Sequence, residues 1–258
     1  MSDDSGKSSG SLLGAEGEQR RIAVVIGAGD ALGGSIARRF AREGFEVIAS
    51  RRTVGKLIEL VDGIKKDGGV AHAMPLDATQ EREVVELFRK VRAQFGVPEI
   101  VVFNSGAFAR ASILDCELQA FQDMLNANAV AGFLVGREAA RALAPAGRGT
   151  IIFTGATASV RGAAGFSAFA GSKAALRMLA QSMARELGPK GIHVAHVIVD
   201  GVIDTENAKA LFPQLFQQLG AEGVLNPEHI ASNYWNLHNQ PRDAWTHELD
   251  VRPFSERW

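Results

Sequence analysis

From Arg21 onward the chain alternates two hydrophobic periodicities. Short, nearly continuous apolar runs occur at 22–26, 45–49, 71–76, 99–104, 150–153 and 192–199. Runs of that kind suit strands buried on both faces. Between them, apolar residues recur at helical spacing over 35–43, 54–66, 81–95, 117–126, 129–143 and 167–187. The first of these helices places Ile36, Ala37, Phe40 and Ala41 on one face, with Gly44 as its stop. The second turns Leu57, Ile58, Leu60, Val61 and Ile64 inward, and Gly188 with Pro189 ends the longest one. The stretch 212–258 is less regular and holds all three tryptophans. It predicts a substrate lid, a final edge strand near 245–251 and a subunit contact.

Strand followed by helix, repeated, implies a parallel sheet with helices on both faces and right-handed crossovers, a doubly wound α/β fold. With no internal repeat and no linker, 21–258 reads as one domain. Residues 1–20, rich in Ser, Gly and charge, read as a disordered tail. The totals then narrow the function. A composition of 46% hydrophobic and 22% charged residues over 258 positions is that of a soluble protein. A net charge of -1 offers no reason to expect nucleic acid or an anionic membrane as partner. No apolar run approaches the roughly 20 residues of a membrane span. The single cysteine, Cys116, excludes an intramolecular disulfide. Without a signal or transit pattern at its start, the chain is expected in the cytoplasm.

The first strand runs into Gly27-Ala28-Gly29-Asp30-Ala31-Leu32-Gly33-Gly34 and then a helix. Glycine there lets the backbone approach a pyrophosphate, whose charge the helix N-terminus favours. A glycine cluster alone also suits an ordinary tight turn. Strand, glycines and helix at the head of a β/α repeat point to a Rossmann-type dinucleotide site. The second strand ends in Ser50-Arg51-Arg52. A carboxylate there would bond the 2′-hydroxyl of NAD; a hydroxyl and two guanidinium groups suit the 2′-phosphate of NADP(H) instead. The bland alternative is two solvated arginines. Asp77, followed by Ala78, is placed to bond near the adenine, or else to cap the next helix. No cluster with metal-ligand spacing and no Ser-His-Asp motif stands out.

These segments resemble the short-chain dehydrogenases/reductases over nearly the whole stretch from Arg21 to about Thr205. Ile26, Gly27, Ala31 and Gly33 stand at the Thr and three Gly positions of that family's Thr-Gly-x-x-x-Gly-x-Gly. Phe103-Asn104-Ser105-Gly106-Ala107 is similar to its Asn-Asn-Ala-Gly segment. Ala127-Asn128-Ala129 with Gly132 resembles the helix that holds its catalytic asparagine. Asp200-Gly201-Val202-Ile203-Asp204-Thr205 is similar to the Pro-Gly…Thr segment at the nicotinamide end, with Asp200 in place of Pro. The resemblance implies a sheet of about seven strands, a homodimer or homotetramer, and NAD(P)-linked chemistry. It assigns Gly29 and Leu32 to the cofactor loop, and Asn104, Ser105, Gly106, Val202 and Thr205 to cofactor contact.

The departure from the family falls on its catalytic signature, Tyr-x-x-x-Lys with a serine upstream. Lys173 matches, but Phe169 occupies the tyrosine position and Ala156 the serine position. Asn128 and Lys173 remain of the four groups. In the family the tyrosine phenol, its pKa lowered by the neighbouring ammonium, protonates the carbonyl oxygen. Phenylalanine has no proton to give, and the only tyrosine, Tyr234, lies far outside the motif. Thr157 is the nearest substitute, with Thr154 and Ser159 on the same segment. Ser167 and Ser172 point away from Phe169, and His193 and His196 read as packed strand histidines. Two readings stay open: an oxidoreductase acting on a carbonyl, alcohol or activated double bond with a non-standard proton donor, or a dinucleotide-binding sensor or assembly subunit. The expected pocket wall is Phe108, Phe166, the loop after Thr205, Phe212, Phe216 and Trp235, which suits an apolar or aromatic small molecule.

Overall fold

The computed structural model describes residues 20–256, so the expected tail over 1–20 lies outside the described residues except for Arg20. The strands are β1 (Ile22–Ile26), β2 (Glu46–Ser50), β3 (Val70–Ala73), β4 (Ile100–Phe103), β5 (Gly149–Thr154), β6 (Ile192–Val199) and β7 (Glu248–Val251). They form one seven-stranded sheet in the order β3-β2-β1-β4-β5-β6-β7. Every pairing is parallel. Strand order reverses between β1 and β4, the place where such sheets open a crevice at the carboxyl ends of the strands.

The helices are α1 (Leu32–Arg42), α2 (Val54–Lys66), α3 (Glu81–Gln94), α4 (Leu118–Leu125), α5 (Ala131–Leu143), α6 (Ser167–Leu187), α7 (Glu206–Leu211), α8 (Pro213–Leu219) and α9 (Pro227–His238). One face of the sheet is covered by α1, α2 and α9, through Ile36, Phe40, Leu57, Ile64, Ile230 and Tyr234. The other is covered by α3, α5 and α6, through Phe88, Val135 and Leu176. β1 and β4 are buried at every position, which is why their sequences run apolar without alternation.

Four expectations change. Ile58 is 48% exposed, because Leu57, Leu60, Val61 and Ile64 already complete the buried stripe of α2 and Ile58 lies beside it. β3 ends at Ala73, although Met74 N and Leu76 N still donate to Ala49 O and Arg51 O at 3.0 and 3.2 Å. The helices expected over 117–126 and 129–143 are one continuous run, joined by a π-helical turn at Asn126–Val130. Its extra residue turns Asn128 into the interior, where it is fully buried. Lastly, much of 212–258 is scaffold. Trp235 packs edge-on against Phe40 and Phe45, at 5.7 and 6.1 Å between ring centroids, against the core rather than in a pocket. β7 completes the sheet edge within the expected 245–251 window.

Candidate functional site

β1 leads into Gly27, whose φ of +85° only glycine adopts readily. The Gly27 and Ala28 N–H groups donate to the Ser50 carbonyl at 2.7 and 3.0 Å, which folds the loop back over β2. A side chain at Gly33 would stand 2.0 Å from the Gly27 carbonyl oxygen, and one at Gly27 would stand 2.5 Å from Ser105 N. Helix and loop therefore approach as closely as backbone permits. Asn104 ties the neighbouring strand end to this loop, its Nδ2 donating to Gly27 O at 3.2 Å.

Two cavities flank the loop and share Gly27, Gly29, Asn104 and Gly106. The smaller, about 220 Å³, lies over β2 and is lined by Arg51, Arg52, Asp77, Ala78 and Ser105 among others. Arg51 pairs with Asp30 at 3.3 Å, and Lys56 bonds the same carboxylate. The hydrogen bond and charge of Lys56, and after them the charge of Arg51, hold the Asp30 carboxyl below its usual range. Asp77 does not cap α3. Its Oδ1 accepts from Thr79 N and Oγ1 at 3.0 and 2.8 Å, and Gln80 precedes the helix. Ser50 is fully buried and its hydroxyl has no protein partner. It is absent from the cavity lining that Arg51 and Arg52 share.

The larger cavity, about 700 Å³, opens over β4, β5 and β6. Ala31, Leu32 and Gly33 line its loop side, with Asn128, Ala156, Thr157, Phe169 and Lys173 opposite. Phe108 and Phe166 form part of the wall, as the sequence suggests, whereas Phe212 and Phe216 are absent from it. Phe108 meets Phe169 edge-to-face at 5.1 Å. Of the segment after β6, Gly201 and Ile203 reach the cavity. Val202 and Thr205 do not: the Val202 carbonyl accepts from Leu225 N, and the Thr205 hydroxyl caps α7 by accepting from Ala208 N at 3.0 Å.

Asn128 is held on all sides. Its Nδ2 donates to Ala107 O, Met124 O and Ser172 Oγ at 3.0, 3.2 and 3.0 Å, and its Oδ1 accepts from Ala107 N at 3.2 Å. Ser172 in turn donates to Phe169 O at 2.8 Å, so Ser172 belongs to the floor of the site and not to a proton path. Lys173 donates from Nζ to Thr154 O at 3.0 Å, and burial pushes its pKa down to about 8. The Phe169 ring centroid lies 6.0 Å from that ammonium.

Tyr234 is not a displaced catalytic tyrosine. It is fully buried on the α9 side, its hydroxyl 2.8 Å from Thr154 Oγ1, and burial pushes its pKa up. Ser159 is buried too, accepting from Ala156 N at 3.0 Å. His193 stacks on Trp245 at 4.9 Å. His196 sits under Gly155 and bonds Glu248 at 3.1 Å, and burial pushes its pKa down to about 4. Both histidines are packed strand residues. Sequence reasoning missed the environment of Thr157: its hydroxyl bonds the carboxylate of Asp200. The one available signal was Asp200 itself, standing where the family has proline.

The cofactor implied by the glycine loop fits what is present. The cradle closes if a Cβ is added at Gly27 or Gly33, and the paired cavities run from guanidinium groups to the buried lysine, with the Asp30 carboxylate of the loop held by Arg51 and Lys56. Comparison with known proteins agrees. The family model for short chain dehydrogenases matches residues 21–215. A crystal structure of a short-chain dehydrogenase from Rhodopseudomonas palustris is 42% identical, with a TM-score of 0.78 over 92% of this chain and 100% of that one. A metagenomic short-chain oxidoreductase crystallised in complex with NADP is 25% identical, with a TM-score of 0.78 over 90% and 97% of the two chains. An uncharacterised oxidoreductase of Staphylococcus saprophyticus is 26% identical over 91% of this chain and 98% of its own length. With its sheet order, glycine loop and buried lysine in these places, the chain belongs to the short-chain dehydrogenase/reductase family.

Proposed function

We propose that the protein is an NADP(H)-linked oxidoreductase acting on an alcohol, carbonyl or activated double bond of a small apolar or aromatic substrate. The observation that carries this reading is the larger cavity, where Lys173 and the Thr157 hydroxyl face Phe108, Phe166 and Phe169 across about 700 Å³. Gly27, Gly29, Ala31, Leu32 and Gly33 would hold the pyrophosphate, with α1's N-terminus favouring its charge. Arg51 and Arg52 would take the 2′-phosphate, and Asp77 and Ala78 the adenine side. Asn104, Ser105, Gly106 and Lys173 would border the nicotinamide ribose. A bound nicotinamide supplies or accepts the hydride.

The chain's own residues do the rest. Asn128 holds the strand end at Ala107 and, through Ser172, the helix turn of Phe169. Phe108, Phe166 and Phe169 give this wall of the cavity an apolar surface. Thr157 replaces the tyrosine as the group that bonds this oxygen, because Phe169 and Ala156 have no polar atom to offer. A cytoplasmic homodimer or homotetramer is expected, checked by light scattering.

Fluorescence titration tests the cofactor: NADPH should bind more tightly than NADH, and Arg52→Ala should weaken NADPH by about tenfold while leaving NADH unchanged. Equal affinities would remove the preference for the phosphate. A carbonyl panel then tests turnover. The second reading, a dinucleotide-binding protein without turnover, is favoured by Phe169 and Ala156 alone. NADPH binding without turnover, together with turnover in the double variant Phe169→Tyr with Ala156→Ser, would establish that reading instead. Turnover abolished by Lys173→Ala would exclude it.

A further inference from the structure

We infer that Asp200 is the proton acceptor behind Thr157: a substrate hydroxyl passes its proton to Thr157 Oγ1 while the Thr157 hydroxyl proton moves to Asp200 Oδ1. Asp200 directly follows β6, and its N–H donates to Val251 O at 2.9 Å, which sets the side chain at the carboxyl edge of the sheet. It is 6% exposed. A carboxylate is costly to bury without charged or hydrogen-bonding partners. Asp200 has two: the Thr157 hydroxyl on Oδ1 and the Arg252 guanidinium, 3.3 Å from Oδ2.

Thr157 is thus committed as a donor to Asp200, which leaves an oxygen lone pair for the cavity it lines. An alcohol bound there donates to Thr157. A threonine hydroxyl alone is a poor acid and a poor base, but a hydroxyl bonded to a carboxylate can relay a proton without ever carrying net charge. The groups around the pair are Arg252, Asp250 on β7, which shares Arg252 at 3.1 Å, Arg161, whose N–H donates to Thr157 O at 3.1 Å, and Lys173 in the same cavity lining.

The step balances. The carbinol C–H bond breaks with its electron pair leaving as hydride to the oxidised nicotinamide. The O–H electrons form the C=O bond, and the proton displaced through Thr157 rests on Asp200 until solvent takes it. Reduction runs the same path backwards, with protonated Asp200 as the source. The inference rests on the oxidoreductase reading proposed above, with Thr157 in the tyrosine's role.

The test uses NADP⁺ and the fastest alcohol of a panel running from 2-propanol through cyclohexanol to 1-phenylethanol. Asp200→Asn and Thr157→Val should each lower kcat by about 10²- to 10⁴-fold. NADP⁺ affinity by fluorescence titration should stay within about threefold. Thr157→Ser should restore most of the rate. The double variant should be no slower than the slower single, since the two act as a unit. The pH profile of kcat should change shape in Asp200→Asn. Oxidation unimpaired in Asp200→Asn, or a valine variant as fast as the serine one, overturns the relay while leaving the oxidoreductase reading intact. If no alcohol of the panel is oxidised by the wild type, both are overturned. Should Asp200→Asn fail to fold, the valine and serine pair decides alone.

Discussion

Lys173 shows how one residue combines a functional and an energetic consequence. Its ammonium is buried and bonds a carbonyl rather than a carboxylate, so desolvation lowers its pKa from 10.5 to about 8. The unfolded chain therefore binds this proton more tightly than the native one between those values. Stability free of the penalty is present above about pH 10.5, is lost as pH falls toward 8, and stays reduced below. A shift of that size corresponds to about 3 kcal/mol. Replacing Lys173 by methionine should stabilise the fold at pH 7 by about 2 kcal/mol, after the lost bond to Thr154 is counted. Urea denaturation checks this, and destabilisation would show that the ammonium is better solvated than its burial implies. The apolar side chains of Phe169 and Ala156 were legible one residue at a time. Asp200 was visible only as a departure from proline, because its meaning lies in Thr157, 43 positions away.

At the scale of elements, the meeting of β1's loop with α1 governs the cofactor site. Gly33→Ala would set a Cβ against the Gly27 carbonyl, a backbone atom that cannot step aside. It should abolish NADPH binding in a calorimetric titration and cost more than about 2 kcal/mol of stability. Wild-type affinity in that variant would mean that α1 can shift. By contrast, a Cβ at Gly132 would meet Leu176 Cδ1 at 2.3 Å, the end of a rotatable side chain, and Gly132→Ala should be milder. The π-helical turn at Asn126–Val130 was not legible in the sequence. Two helical periodicities adjoin there, and only packing against α6 shows that they belong to one helix with Asn128 turned inward.

Over the whole molecule, burial of several histidines between the sheet and α9 or β7 makes the fold sensitive to acid. His196 and His238 are both pushed down to about 4, chiefly by burial, from the usual 6.5. Their neutral forms belong to the native state. Their contribution is fully present above pH 6.5 and is lost as pH falls toward 4. Calorimetric melting should drop steeply across that window, and His196→Asn with His238→Asn should flatten the drop. An unchanged slope would place acid sensitivity on the carboxylates instead.

The sequence by itself determined the alternating β/α order, the buried strands and the glycine loop. All of these are local: each depends on periodicity or spacing within a few tens of residues. Only the tertiary structure decided which distant positions meet. Sheet order places β6 beside β5, and so Asp200 beside Thr157. It sets α9 beneath β5, and so Tyr234 against Thr154, 80 positions away, far from the tyrosine's usual place. It sets Trp235 against the core, and it turns Asp30 toward Arg51 and Lys56. Periodicity tells which face of an element is buried. Which buried faces share an interface depends on how the elements stack.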